Sequence, residues 1–172
     1  MTAEQDRPDG PRSFPTEAGV VFGLGVGGFF DGIVFHQLLQ WHHMVSSWYP
    51  INSLENLKLN TTWDGIFHSA TYVLMVIGLF LFWRKAHLRH VYWSSKLMLG
   101  AILLGWGTFN CVEGLVDHEL LGLHHVNELV PASQRLYWDL AFLGWGVAMV
   151  ITGWSLLRSS EAPRSSEEVP RA

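Results

Sequence analysis

Apolar and polar positions separate into blocks along this 172-residue chain. Four apolar runs, about 18–41, 63–83, 97–123 and 137–157, are divided by polar stretches, and the charged residues crowd into the two ends and one central loop. Each run is long enough to cross a hydrocarbon layer about 30 Å thick at about 1.5 Å per helical residue. Stretches such as YVLMVIGLFLFW (Tyr72 to Trp83) and KLMLGAILLGWG (Lys96 to Gly107) have no polar face, which a helix on the surface of a soluble bundle would need. The pattern predicts an all-α membrane protein, a four-helix bundle of transmembrane helices.

Composition adds little until its distribution is considered, since 49% hydrophobic residues is ordinary for a globular protein. Lys and Arg set the orientation. Arg7 and Arg12 precede the first run, Arg84, Lys85, Arg89 and Lys96 join the second to the third, and Arg158, Arg164 and Arg171 follow the fourth. The remaining two loops hold only Lys58 and Arg135. The positive-inside rule then puts both termini and the central loop in the cytoplasm. Trp41, Trp48, Trp63, Trp83, Trp93 and Trp138 lie near the ends of runs, where indole anchors a helix in the interface. Residues 1–16 and 159–172, rich in Pro, Ser, Glu and Arg, read as disordered tails around one domain at 17–158. The N-terminus has no cleavage-site pattern, so the first run is expected to be a retained helix. A net charge of −4 without a basic stripe gives no footing for nucleic acid. The single cysteine, Cys111, excludes an internal disulfide and a thiolate cluster, and its mid-helix position suits a small core residue.

The chain repeats itself. DGIVFHQLLQWHH, from Asp31 to His43, returns 82 residues later as EGLVDHELLGLHH, from Glu113 to His125. An acid, a histidine five residues on (His36, His118) and a histidine pair (His42 and His43, His124 and His125) recur in register at the ends of apolar runs. Gly23 and Gly25 recur as Gly105 and Gly107, and the second and fourth runs both open on Trp-Asp, at Asp64 and Asp139. The repeat unit is therefore a helical hairpin, about 18–83 and 97–157, and two such units are expected around a pseudo-twofold axis along the membrane normal. Gly23 and Gly27 form a small-xxx-small face that suits close approach of another helix, either within the chain or in a homodimer.

Ionisable side chains inside a membrane are costly, and their presence points to function. On helical rise alone, His36, His118 and His68 fall at one level, roughly 10 Å below the outer surface. Asp64 and Asp139 lie about one turn above that level and Asp31 and Glu113 about 7.5 Å below it. Imidazole and carboxylate together suit iron, copper, zinc or manganese. His36, His68 and His118 with Asp64 and Asp139 are therefore the expected ligands. A five-residue step turns an α-helix by about 140°, which keeps Asp31 and His36 from facing one ion. Asp31 and Glu113 are thus left as supporting or proton-handling groups, a second metal position, or a carboxylate pair sharing a proton. His42 and His43 with Met44, and His124 and His125 with Glu128, suit an access site for metal at the outer interface. His87 and His90, among Arg and Lys, read as solvated, and Asn60-Thr61-Thr62 matches a glycosylation acceptor pattern too frequent to use. The competing readings are a hydrogen-bonded polar core, a b-type haem with His36 and His118 as axial ligands, and an ion or proton path.

At GGFFDGIVFHQLLQWHHM and NCVEGLVDHELLGLHH the chain resembles a family of small bacterial inner-membrane proteins of the "domain of unknown function" kind, over about residues 17–158. The resemblance implies a four-helix protein of the bacterial cytoplasmic membrane and carries no activity. On the residues, two functions are expected: a membrane metalloenzyme with Asp31 or Glu113 handling protons, or a metal-handling factor serving an exported oxidase. The scarcity of Met and Cys, 5 and 1 residues, speaks against a dedicated copper(I) carrier.

Overall fold

The computed structural model describes residues 14–88 and 91–159. Most of the expected tails, with Arg7, Arg12, Arg164 and Arg171, and also Arg89 and His90 of the central loop, lie outside the described residues. The elements are all helical. Helix α1 (Thr16–Asp31) runs directly into a π-helical segment π1 (Gly32–Leu38), α2 spans Leu54–Ala86, α3 (Ser95–Glu113) runs into π2 (Gly114–Leu120), and α4 spans Ala132–Arg158. Four of these spans, Thr16–Leu38, Leu54–Ala86, Ser95–Leu120 and Ala132–Arg158, are long and apolar enough to cross a membrane.

The helix ends differ from the limits of the apolar runs, for local reasons. The first and third spans stop at Leu38 and Leu120, three residues short of the apolar runs, because the chain turns back through left-handed backbone at Gln40 (φ 50°) and Gly122 (φ 57°). Those two positions are again 82 residues apart, and at Gln40 the turn carries the strain of a non-glycine residue. Helix α2 starts nine residues before its apolar run because the Ser53 hydroxyl accepts the Asn56 N–H at 3.1 Å and caps it there. At 33 residues α2 is about 50 Å long, so its polar first turns extend past a hydrocarbon layer of about 30 Å. Pro131 sets the start of α4, where a missing N–H costs nothing.

Helices α1 and α3 form the central pair, α2 packs on α1, and α4 packs on α3. The backbones thus stand in the order α2, α1, α3, α4 rather than closing a bundle in which each helix meets two neighbours. Burial follows this order. The apolar stretches of the first and third spans are 50% and 39% buried within the chain, against 11% for α2 and 22% for α4. Val73, Val76 and Phe80 of α2 and Leu140, Val147 and Ile151 of α4 stay exposed, as lipid-facing side chains do.

The glycines set the spacing. A Cβ on Gly23 would lie 2.3 Å from the Ile102 carbonyl oxygen and one on Gly105 would lie 2.1 Å from that of Val20, so each glycine admits the other helix's backbone. Gly25 and Gly107 face the outer helices instead, against Met75 of α2 and Gly146 of α4. Gly27 meets Trp106 and Phe109 of α3. The Gly23/Gly27 face that could have joined two copies is therefore covered within the chain by α3.

Gly105→Leu is expected to cost on the order of 2 kcal/mol or more by forcing backbones apart, read as a lower unfolding temperature in detergent. Gly144→Leu, where a Cβ meets nothing within 4 Å, should leave that temperature unchanged. Equal effects from the two would mean that close approach of α1 and α3 does not hold the pair.

Candidate metal centre

The angular limit that separates Asp31 from His36 assumes an α-helix, and these residues are not in one. Both acids end their α-helices, and the glycine after each opens a π-helical segment, with i→i+5 bonds such as Leu39 N–H to Val34 O and Leu121 N–H to Val116 O, each 2.8 Å. At roughly 4.4 residues per turn, a five-residue step overshoots one turn by only about 50°. His36 therefore sits over Asp31, with Nε2 3.0 Å from Oδ2. Glu113 and His118 stand in the same relation, and their ligand atoms fall, with one of His124, within 4.8 Å of one another.

The left-handed turns then fold each histidine pair back and split it. His42 and His124 point inward and are 2% and 0% exposed. Their rings stack with centroids 4.3 Å apart and planes 6° from parallel. His42 Nδ1–H donates to the Val126 carbonyl at 2.8 Å and His124 Nδ1–H donates to the Met44 carbonyl at 3.0 Å. A carbonyl only accepts, so each ring is protonated at Nδ1 and keeps its Nε2 lone pair. Both Nε2 atoms are buried without a hydrogen-bond partner, 3.9 Å from Asp31 Oδ2 and Glu113 Oε1 respectively. Burial, then the neighbouring His42 and His118 rings, hold His124 well below the ordinary imidazole range, so it is neutral.

The other member of each pair turns to the carboxylate that opens the following hairpin arm. Asp64 accepts from His43 Nδ1 at 2.5 Å, from His36 Nδ1 at 2.9 Å and from the Met44 N–H at 2.8 Å. Asp139 accepts from His125 Nδ1 at 2.7 Å and from the Val126 N–H at 2.8 Å, with His118 Nδ1 at 3.8 Å. Asp64 and Asp139, expected among the ligands, thus spend their oxygens on orienting histidines and loop peptides. Asn60, fully buried, accepts the Val45 N–H at 3.2 Å and donates to the Tyr49 carbonyl at 2.9 Å, so its amide is committed to the loop.

His68 stands apart from the centre. Its imidazole packs on π1, where a Cβ on Gly32 would lie 2.1 Å from its Nε2, and its Nδ1 faces Gln37 Nε2 at 3.5 Å. The reason is rotational: Phe67, not its neighbour, covers His36, at 5.6 Å between ring centroids. Phe142 covers His118 in the same way at 5.4 Å, and the residue after it is Leu143. His68 therefore has no counterpart in the second copy, which was the sequence signal against it.

Six side chains remain at the centre: Asp31, His36, His42, Glu113, His118 and His124, none more than 4% exposed. Every carboxylate oxygen and Nε2 atom among them lacks a hydrogen-bond partner. Above them, at the loop end, a cavity of about 490 Å³ reaches His42 and is bordered by His43, His125, Glu128 and Arg135. Cys111 is not part of this group and lies against Gly146 of α4.

Four long apolar helices around such a polar centre describe a predicted multi-pass membrane protein. Residues 18–160 match the family described as "Predicted membrane protein (DUF2243)", and the chain belongs to that family. No curated protein and no solved structure matches the chain.

Asp139→Ala leaves the Val126 N–H and His125 Nδ1 without their acceptor in a buried setting. Its expected cost is about 2 kcal/mol or more, measured by chemical or thermal unfolding in detergent, and an unchanged unfolding curve would show that the 121–131 loop is anchored by other contacts.

Proposed function

We propose that this protein is a transition-metal protein of the membrane, with a resident centre formed by Asp31, His36, His42, Glu113, His118 and His124 near the outer face. The observation that carries this reading is the set of buried, unpartnered lone pairs turned into one space. Leaving so many acceptors dry costs several kcal/mol in a bare protein. A cation at their focus removes that cost. The 3.0 Å between His36 Nε2 and Asp31 Oδ2 also equals the edge of an octahedron with arms of about 2.1 Å. Four imidazoles and two carboxylates suit iron, manganese, zinc or copper. Asp64 and Asp139 act through the rings they orient, as carboxylates behind metal-bound histidines do.

A b-type haem between His36 and His118 does not fit. Successive ring centroids from His36 to His42, His124 and His118 are 4.5, 4.3 and 4.8 Å apart, so two imidazoles fill the space a porphyrin would need. The fixed donors also favour a resident cofactor over an ion in transit, because both His42 and His124 are locked by loop carbonyls. We therefore favour a metalloenzyme, in which the ion supplies Lewis-acid or redox chemistry. Its substrate is a small molecule admitted by the outer cavity past His43, His125 and Glu128. Asp31 and Glu113 keep a part in proton handling, since a carboxylate that binds through one oxygen retains the other.

Metal analysis with a visible spectrum of the detergent-purified protein tests this reading. At least one equivalent of a first-row transition metal without a Soret band is expected, and the double variant His36→Ala/His118→Ala should lose it. No bound metal after incubation with iron, manganese, copper and zinc would reduce the centre to a polar core.

The supporting shell makes a separate prediction. Asp64→Ala is expected to weaken metal affinity by about 10–100-fold, whereas His68→Leu, which copies Leu143, should leave affinity unchanged in a competition titration with a chelator. A large loss in His68→Leu would return His68 to the ligand set.

A further inference from the structure

The donor atoms at the centre converge in threes: His36, His42 and His124; Glu113, His118 and His124; and Asp31, His36 and Glu113, each trio within 4.8 Å. No larger set converges among the described residues. A single ion with arms of about 2.1 Å draws its ligand atoms within about 4.2 Å of one another, so one ion cannot collect all six side chains as they stand. The overlap is also ordered. Each copy of the repeat supplies one acid and two imidazoles, and the acid-to-imidazole distances match across the copies, with 3.9 Å for Asp31 to His42 and 3.9 Å for Glu113 to His124.

We propose that the centre is dinuclear, with one divalent transition-metal ion held by Asp31, His36 and His42 and a second by Glu113, His118 and His124. This rests on the metal-binding reading above and extends it. Three protein ligands per ion leave open positions, the arrangement expected of a catalytic site rather than a closed structural one. Asp31 and Glu113, whose four oxygens all lack hydrogen-bond partners, are placed to bridge the ions. Charge is compatible with this: the buried acids Asp31, Asp64, Glu113 and Asp139 balance two divalent cations with every imidazole neutral. The stacked His42 and His124 rings lie where the two halves meet, which holds the ions close enough to act on one substrate from two sides.

The test uses the full-length protein in detergent, stripped with a chelator and titrated with cobalt(II) alone. Metal analysis after desalting is expected to saturate at two equivalents, with an electron paramagnetic resonance signal per ion that falls as the second ion couples to the first. His36→Gln and His118→Gln, each checked for folding by size-exclusion profile, should bind one equivalent with an uncoupled signal. Saturation of the unaltered protein at one equivalent, with an uncoupled signal, would overturn the dinuclear centre and keep the metal site. Two equivalents retained in both variants would place the ions elsewhere and overturn the dinuclear assignment too. No cobalt bound at all would overturn the metal reading itself. The stoichiometry of the unaltered protein decides the matter even if a variant fails to fold.

Discussion

The centre of this protein depends on one reciprocal contact between its two outer loops. His42 donates to the carbonyl of Val126 while His124 donates to the carbonyl of Met44, and the N–H groups of those same two residues are held by Asp139 and Asp64. Each loop peptide is thereby fixed at both ends, once by its own hairpin and once by the other. The contact also selects the tautomer, so that two buried Nε2 lone pairs face the acids below. Remove it, and the rings would have neither orientation nor proton position.

That exchange can form only because the helices beneath it are spaced and wound to meet it. Gly23 and Gly105 let α1 and α3 approach backbone to backbone, which brings the two π-helical ends side by side. The π-helical turns then place His36 above Asp31 and His118 above Glu113. A π-helical turn gives up packing and hydrogen-bond quality relative to an α-helix, and such turns recur at functional sites. Here the gain is concrete: an acid and a histidine five residues apart can serve one ion.

The polar apparatus has two tiers with different physical duties. Asp64 and Asp139 are saturated acceptors, whose role is to aim imidazoles and loop peptides. Asp31 and Glu113 are unsaturated and sit among lone pairs, the condition under which a carboxylate binds a cation. This division separates residues of the same type at neighbouring depths, and it bears on how an open centre can stay ordered inside an apolar surround. Outer helices α2 and α4 contribute the aiming groups and present most of their remaining surface outward, while the central pair contributes the acids and two of the four rings.

Much of this was legible in the chain. The apolar runs gave four spanning helices, and the 82-residue recurrence named every member of the central six, since the acid, the fifth-residue histidine and the first histidine of each pair are the repeated polar positions. Recurrence also carried the evidence against His68, whose place in the second copy is taken by Leu143. What the chain could not give was direction. Helical periodicity assumes 3.6 residues per turn, and a π-helical segment and a left-handed turn leave no compositional mark in DGIVFHQLLQWHH. The split of each histidine pair, with one ring inward and one onto an aspartate, depends on where the opposite loop puts its carbonyls. Residue types and their recurrence are local properties and are written in the sequence; which lone pair faces which neighbour is set by contacts between copies 82 residues apart, and only the tertiary structure decides it.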